Sequence, residues 1–437
     1  MIPPTNKTRF PIVEIHEAMM LTGNHFAQSA SRDLYYYEGG VYIPGGEEFI
    51  RRRARSLLES WAMTNVWSKR SVYDLIDFIA ASAPNLAERP HPSILNLKNG
   101  LLDIDKIGKG RELLPHDHNH LSSIQLPINY NPQATCRQWD RFLASVFPED
   151  AGQFALEIIG YVLVPDTSLQ KAFILLGSGA NGKSTFFKAI EENLLSRRNV
   201  SHRSMHQLSG DKFAAHILNG KLANFCPDVP GKKILDSSLL KQIISGDPIV
   251  AEGKGRNAYD LWPFVRLFFS ANVLPTIVDA DDALYRRFLL IYFGKEFNGK
   301  VFQSTIVDGL GSEEEKSGIF NKAIQAYKSL ITQGAFSIPP SVKELTDEFK
   351  SISDPFGTWL RDHTVDAGQV AKAALREAYN KANPTQTLTD VLFSKYLLQR
   401  RKDIRTVQPR IEGGRVWAWA GISLKGQKIS LNVEQNE

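Results

Sequence analysis

Only two cysteines, Cys136 and Cys226, stand in a chain of 437 residues. Their scarcity excludes a disulfide framework and a cysteine-built zinc site. Long hydrophobic runs are also missing. The longest, FALEIIGYVLVP at 154–165, is too short for a bilayer and carries a glutamate. The opening MIPPTNKTRF lacks the apolar stretch of a secretory signal, so a cytoplasmic, membrane-free protein is expected. Internal repeats and low-complexity tracts are absent as well. Charge of one sign is in small excess, 52 Lys and Arg against 47 Asp and Glu, which rules out a histone-like polycation.

What is present is a 43% apolar composition, enough for about two to four domains with cores of their own. The small positive excess is unevenly placed. Residues 361–437 hold 13 Lys and Arg against 8 Asp and Glu, a difference of 5 that equals the net charge of the whole chain. A basic C-terminal module suits contact with nucleic acid, although solvated surface charge has the same composition.

The most informative stretch is GSGANGKST, running from Gly177 through Ser178, Gly179, Ala180, Asn181, Gly182, Lys183 and Ser184 to Thr185. It matches the phosphate-cradling pattern G-x-x-x-x-G-K-[ST], in which backbone N–H groups and the start of a helix surround a polyphosphate. The context agrees: the apolar run AFILL precedes it, and Phe186, Phe187, Ile190 and Leu194 follow at helical spacing. In that geometry Lys183 reaches the β- and γ-phosphates of ATP, and the Ser184 hydroxyl joins the shell of a Mg²⁺ ion.

Four strand-like apolar runs succeed one another: KAFILL (171–176), KLANFC (221–226), VRLFFSAN (265–272) and FLLIYF (288–293). Such near-continuous runs point to a parallel sheet covered on both faces. ATP hydrolysis needs a carboxylate for the metal, a polar group at the γ-phosphate and a cation for the developing charge. Asp228 closes the second run, Asn272 closes the third, and Arg286 and Arg287 precede the fourth. Ligands of open α/β sheets bind at the carboxyl ends of strands, which favours Asp228 and Asn272.

Upstream, Asn99-Gly100 between two apolar runs predicts a hairpin over 93–105. Period-two alternation there puts Asp103 and Asp105 on one face, as in a metal-holding pair or any half-exposed strand. The cluster HDHNH at 116–120 has the composition of a polar surface loop. Near the C-terminus two helical segments, VAKAALREAYNKA and LTDVLFSKYLLQRRKD, precede a hairpin flanking Glu412-Gly413-Gly414. Helices followed by a two-stranded wing form a winged-helix pattern. Arg400, Arg401, Lys402 and Arg405 at its second helix, with Arg410 and Arg415 on the hairpin, are placed for phosphate contacts. Trp417 and Trp419 alternate onto one face and are expected in the core.

In this order and spacing, GSGANGKST, the Asp228 strand end, LFFSANVLP and ALYRRFLLIYF resemble the Walker A, Walker B, sensor-1 and arginine-finger elements of superfamily 3 helicases, of the phage, plasmid and poxvirus primase-helicase branch. The resemblance implies an α/β fold: an AAA+-like P-loop ATPase core with a parallel sheet, an N-terminal α+β domain and a C-terminal winged helix. It divides the chain at 1–133, 134–300, a helical segment at 301–350, and 351–437. It implies that Arg287, or Arg286 beside it, acts as a finger across a subunit interface. ISGDPIVAEGKGRNAYDLWPF (244–264) resembles the segment carrying the DNA-contacting hairpin, which assigns Lys254 and Arg256 to single-stranded DNA. Asp228 is followed by Val229 rather than a second acid, so the water-activating residue stays unassigned. The primase domain of longer members is not expected here.

The resulting expectation is a ring-forming, commonly hexameric, 3′ to 5′ helicase using ATP and Mg²⁺, acting on single-stranded and forked DNA in the replication of a phage or mobile element inside a bacterial cell, with a separate primase or polymerase as partner. An origin-binding initiator that uses ATP as an assembly switch is the alternative. A P-loop small-molecule kinase fits the basic C-terminal module and the GKGRN hairpin poorly.

Overall fold

The computed structural model describes residues 4–227, 236–255, 257–272, 282–297, 307–353, 355–384, 387–411 and 414–426. The chain divides into two compact units, Met1–Thr346 and Asp347–Glu437. The first begins with helices α1 (Ile12–Leu21), α2 (Gly46–Ser60) and α3 (Lys69–Ser82) around an antiparallel sheet of β1 (Phe26–Gln28), β2 (Leu34–Glu38) and β3 (Val41–Pro44). They share a core that includes Ile15, Met19, Ile50, Leu57, Leu75 and Ile79.

The predicted hairpin follows as β4 (Ile94–Leu97) and β5 (Gly100–Asp103), joined by β6 (Leu113–Leu114). Its apolar residues Leu95, Leu97 and Leu102 belong to the large second core, which runs on through Trp139, Phe154, Phe173 and Phe268 to Val342. That core is continuous across 133/134 and 300/301, where the sequence places domain boundaries. Amphipathic periodicity alone does not reveal which apolar faces share a core.

At the centre lies a five-stranded sheet, parallel throughout, in the order β13-β7-β12-β9-β8. Its members are β7 (Ala172–Leu176), β8 (Val200–Ser201), β9 (Ala223–Cys226), β12 (Arg266–Ala271) and β13 (Phe288–Tyr292). Four are the predicted runs; β8, at two residues, is too short to carry a periodic signal. The strands are buried on both faces, with Phe173 stacked on Phe268 and Phe187 on Phe225. This explains their unalternating apolar sequence. Helices α4 (Arg137–Val146) and α5 (Gly152–Leu163), then α6 (Lys183–Ile190), α7 (Met205–Gly210), α8 (Lys212–His216) and α9 (Ser238–Ser245), come before the separate antiparallel pair β10 (Ile249–Ala251) and β11 (Tyr259–Leu261). A short α10 (Asp282–Tyr285) precedes β13, and α11 (Glu313–Gln333) packs on α5.

The second unit contains helices α13 (Pro355–His363), α14 (Lys372–Ala382) and α15 (Asp390–Arg400), numbered after α12 (Pro340–Ser353), which crosses the division. Strand β14 (Thr364–Val365) pairs antiparallel with β20 (Ser423–Leu424), and β15 (Gln369–Ala371), β16 (Arg405–Val407) and β19 (Ala418–Ala420) form an antiparallel sheet with β19 in the middle. A small hairpin of β17 (Arg410–Ile411) and β18 (Gly414–Arg415) projects between β16 and β19. Trp419 is buried in this unit's own core with Phe356, Trp359, Leu375 and Phe393. Trp417 corrects the expectation of two core tryptophans: it precedes the paired residues of β19 and is 57% exposed. No helix among the described residues is long and apolar enough to cross a membrane.

Candidate nucleotide site and nucleic-acid interface

The loop between β7 and α6 is shaped by its glycines. Gly179 and Gly182 take φ of +117° and +87°, and Ala180 follows them into positive φ at 49°. A Cβ on Gly177 would lie 1.9 Å from Asn181 Nδ2 and 2.5 Å from the Phe293 carbonyl oxygen. Only glycine fits there. The loop is held by its own amide: Asn181 Nδ2 donates to Phe293 O at 2.8 Å, and Asn181 Oδ1 accepts from Lys183 Nζ at 2.8 Å. Lys183 Nζ also donates to Gly177 O at 2.7 Å. The ammonium is thereby drawn over the loop rather than extended into solvent.

Helix α6 opens at the end of this turn, and its first intrahelical bond is donated by Phe186 N to Gly182 O. The N–H groups of Lys183, Ser184 and Thr185 thus form the first turn, where a helix presents partial positive charge. Ser184 is exposed, whereas Thr185 is buried with no hydrogen-bond partner for Oγ1. Residues 293–297 close the loop from the side of β13: Phe297 N donates to Ala180 O at 2.8 Å. Nothing in the sequence marks that segment except its position after a strand. The cradle, its glycines and its lysine fit a polyphosphate.

Neighbouring strand ends complete the same edge. In the β7–β12 register Ala271 pairs with Leu176, and Gly177 N donates to Ala271 O at 3.2 Å. Asn272, exposed, is therefore next to the start of the loop. Cys226 ends β9 two strands from β7, and Asp228 lies outside the described residues.

Arg286 and Arg287 occupy the opposite edge of the sheet. Phe288 pairs with Ala172, the first residue of β7, and Ala172 N donates to Arg287 O at 2.8 Å. Five residues of strand at about 3.3 Å each separate that end from the glycine-rich loop, roughly 16 Å. Arg286 is exposed; Arg287 is buried, and its Nη2 and Nε donate to Ser245 Oγ at 2.8 and 3.2 Å. Lys171 donates to the Arg286 carbonyl, and burial, then the nearby Arg286 and Arg287 charges, pushes its ammonium below the usual lysine range.

The predicted hairpin is β10–β11, with Ile249 opposite Leu261 and Ala251 opposite Tyr259. Lys254 and Gly255 are exposed in its connecting loop, Gly255 at φ +72°. Arg256 lies outside the described residues.

In the C-terminal unit the basic residues divide by role. Arg401 clamps Asp403 with two hydrogen bonds, at 2.9 and 2.7 Å, and also bonds Asp366 and the Gly421 carbonyl. Its charge is consumed locally. Arg400 stacks its guanidinium 5.5 Å from the Phe356 ring and 5.9 Å from Tyr396. Lys402, Arg405, Arg410 and Arg415 are exposed, and Arg410 faces Arg415 across the hairpin. Trp417 stands near Lys372, whose Nζ is 5.7 Å from its ring and 3.9 Å from that of Trp419.

The upstream acids do not form a pair. Asp105 falls in the turn after β5, so strand alternation stops before it, and its N–H donates to Asp103 Oδ1 at 3.1 Å. Lys106, 2.8 Å from Asp103, holds that carboxyl below the usual range. In the histidine cluster, His116 bonds the Leu97 carbonyl and His118 stacks on His25 at 3.7 Å. No group of three or more potential metal ligands occurs among the described residues.

Fold and site together define a mixed α/β protein whose five-stranded parallel sheet carries a P-loop-like turn. Residues 175–287 match a family described as a family of unknown function, DUF5906, and residues 21–148 match one described as D5 N terminal like. A protein of Acanthamoeba polyphaga mimivirus named "Putative helicase L207/L206" is 24% identical over 306 residues, 64% of this chain. The chain spans 31% of that relative's length. An A form apo structure of the NrS-1 C terminal region superposes with a TM-score of 0.56 at 12% identity, covering 94% of this chain and 99% of the other. A second apo structure of that region gives 0.52 at 11%, with the same coverage. At such identity the likeness speaks for fold alone.

Proposed function

We propose that the chain is an ATP-driven DNA motor, a replicative helicase of superfamily 3 type that works as a ring, commonly a hexamer, moving 3′ to 5′. The observation that carries this reading is the separation of the Arg286 turn from the phosphate loop at opposite ends of one sheet. A guanidinium roughly 16 Å of strand away cannot meet charge developing in its own site. It can do so only in a neighbouring copy, as trans-acting arginines do.

Within each site, the loop N–H groups and Lys183 hold the phosphate oxygens of ATP, and Asn272 orients the γ-phosphate or the attacking water. Ser184, with Asp228 as the proposed second ligand, holds a Mg²⁺ ion, which when bound neutralises phosphate charge. Arg286 is the better finger, because Arg287 is spent on Ser245. Lys254, at an exposed loop between paired strands, grips the backbone of single-stranded DNA, with Arg256 proposed beside it. The second unit acts as a winged helix in which Lys402, Arg405, Arg410 and Arg415 touch phosphates and Arg401 braces the fold. The match of residues 21–148 to the D5 N terminal like family, and the mimiviral protein's printed name, support the same class.

Steady-state ATP hydrolysis with and without single-stranded DNA tests this. Stimulation is expected, with Lys183→Ala as the inactive blank and Lys254→Ala losing the stimulation. Lys183→Ala and Arg286→Ala, each inactive alone, are expected to regain activity when mixed, because mixed rings contain intact interfaces. Full activity of Arg286→Ala would remove the trans site. Hydrolysis indifferent to DNA in an assembled protein would favour the initiator that uses ATP as a switch.

A further inference from the structure

Arg287 faces inward. Besides its two bonds to Ser245 Oγ, its Nη1 donates to the Ala283 carbonyl, and 9% of the residue is exposed. Ser245 is the last residue of α9, and Gly246, at φ +72°, turns the chain toward β10, which starts at Ile249. The turn is tightly packed: a Cβ on Gly246 would lie 2.4 Å from Thr167 Oγ1. The Gly246 carbonyl accepts from Arg89 Nη2, and the Arg89 guanidinium lies 4.6 Å from the ring of Trp262, which directly follows β11. Both strands of the Lys254 hairpin are thus anchored at their base, β10 through Ser245 and Gly246, β11 through Trp262. Arg89, in the segment between α3 and β4, joins the two anchors.

We propose that Arg287 is a positioning residue that couples the Arg286 turn to the hairpin, through Ser245 at β10 and Arg89–Trp262 at β11; the proposal rests on the motor function argued for the chain. Arg286 points outward and Arg287 inward from one turn, so a pull on the first moves the second. The bonds from the guanidinium are charge-assisted and partly buried, hence stiffer than a solvent-exposed contact. A displacement of the turn toward a neighbour's phosphates is carried to β10, and Lys254 moves with it. Packed segments of this kind switch between discrete arrangements rather than deforming smoothly. The hydroxyl of Ser245 is bonded to Arg287 and belongs to neither the proposed phosphate contacts nor the proposed DNA contacts, so its loss separates coupling from binding.

The test compares the full-length protein with Ser245→Ala, Ser245→Thr, Arg287→Gln and the double variant Ser245→Ala/Arg287→Gln, reading the ratio of ATP hydrolysis rates with and without an oligothymidylate. Ser245→Ala is expected to lower the ratio roughly two- to tenfold, the net scale of one lost hydrogen bond. Ser245→Thr, which keeps the hydroxyl, is expected to restore most of it. The double variant is expected to be no worse than Arg287→Gln alone, as for residues acting through one another. A merely structural loss would lower melting temperature and overall rate while leaving the ratio intact, and that result overturns the coupling. So does a double variant whose losses multiply. If the wild-type protein shows no stimulation, the motor function itself fails and the coupling with it. If the wild type is stimulated and Ser245→Ala equally so, only the coupling fails.

Discussion

At the scale of single residues, context separated cations that look alike in the sequence. Arg400, Arg401, Lys402 and Arg405 crowd one helix end, yet Arg401 is committed to Asp403 and Asp366 while Lys402 and Arg405 face solvent. The same pairing predicts a pH effect. Hydrogen bonding to Arg401 lowers the Asp403 carboxyl to about 2. A carboxylate whose folded value lies below its unfolded value, near about 3.9, stabilises fully above the latter and loses its contribution as pH falls toward the former. Wild type is therefore expected to melt higher than Asp403→Asn at pH 6, with the gap closing between about pH 4 and about pH 2. Melting curves of the two proteins across that range check it; a gap that persists at the acid end would refute it. The gap should be small, because the pair is open to solvent.

The residue pattern of the P-loop-like turn was legible in the sequence, because its glycines, lysine and hydroxyls stand in consecutive positions. The bond from Asn181 to Phe293 was not, because it joins residues 112 apart in sequence. Nor were Ser245 and Arg89, ordinary residue types that acquire meaning only from what lies against them.

At the scale of elements, helix α5 shows why apolar pattern alone underspecifies packing. Gly160, in its middle, lets α11 approach so closely that a Cβ would sit 2.2 Å from the Ala323 carbonyl oxygen and 2.8 Å from Tyr327 Cβ. Backbone atoms cannot rotate aside. Gly160→Ala is expected to destabilise the fold by about 1–3 kcal/mol in urea denaturation, the usual cost of overpacking. Gly152→Ala, at the start of the same helix with nothing within 4 Å, is expected to be neutral or stabilising by up to about 1 kcal/mol. Equal effects at both positions would show that lost backbone freedom, not the helix contact, governs them. The four long strands and the hairpin at Asn99-Gly100 were visible as runs and turn residues. Strand β8 was too short to see, and alternation misjudged Asp105 and Trp417 because both lie just beyond the end of a paired strand.

At the scale of the whole molecule, the division at 346/347 carries its own prediction. Residues 347–437 enclose a separate core built on Phe356, Trp359, Leu375, Tyr379, Phe393 and Trp419. Expressed alone, this segment is expected to unfold in one cooperative transition by circular dichroism, with near-ultraviolet signal from its buried aromatics. A gradual loss of signal would mean that its core depends on the first unit.

Sequence by itself determined the local pieces: a P-loop-like turn between strand and helix, apolar strands that demand burial on both faces, a turn carrying two arginines, and a basic C-terminal segment. These follow from local rules, since periodicity, turn residues and motif spacing act over a few residues. Tertiary structure alone decided the order β13-β7-β12-β9-β8, which puts Asn272 beside the P-loop-like turn and the arginine turn at the far end of the sheet. It also decided which arginine faces outward and which is bonded to Ser245. Those outcomes depend on which apolar faces meet across long stretches of chain, and no local pattern encodes that choice.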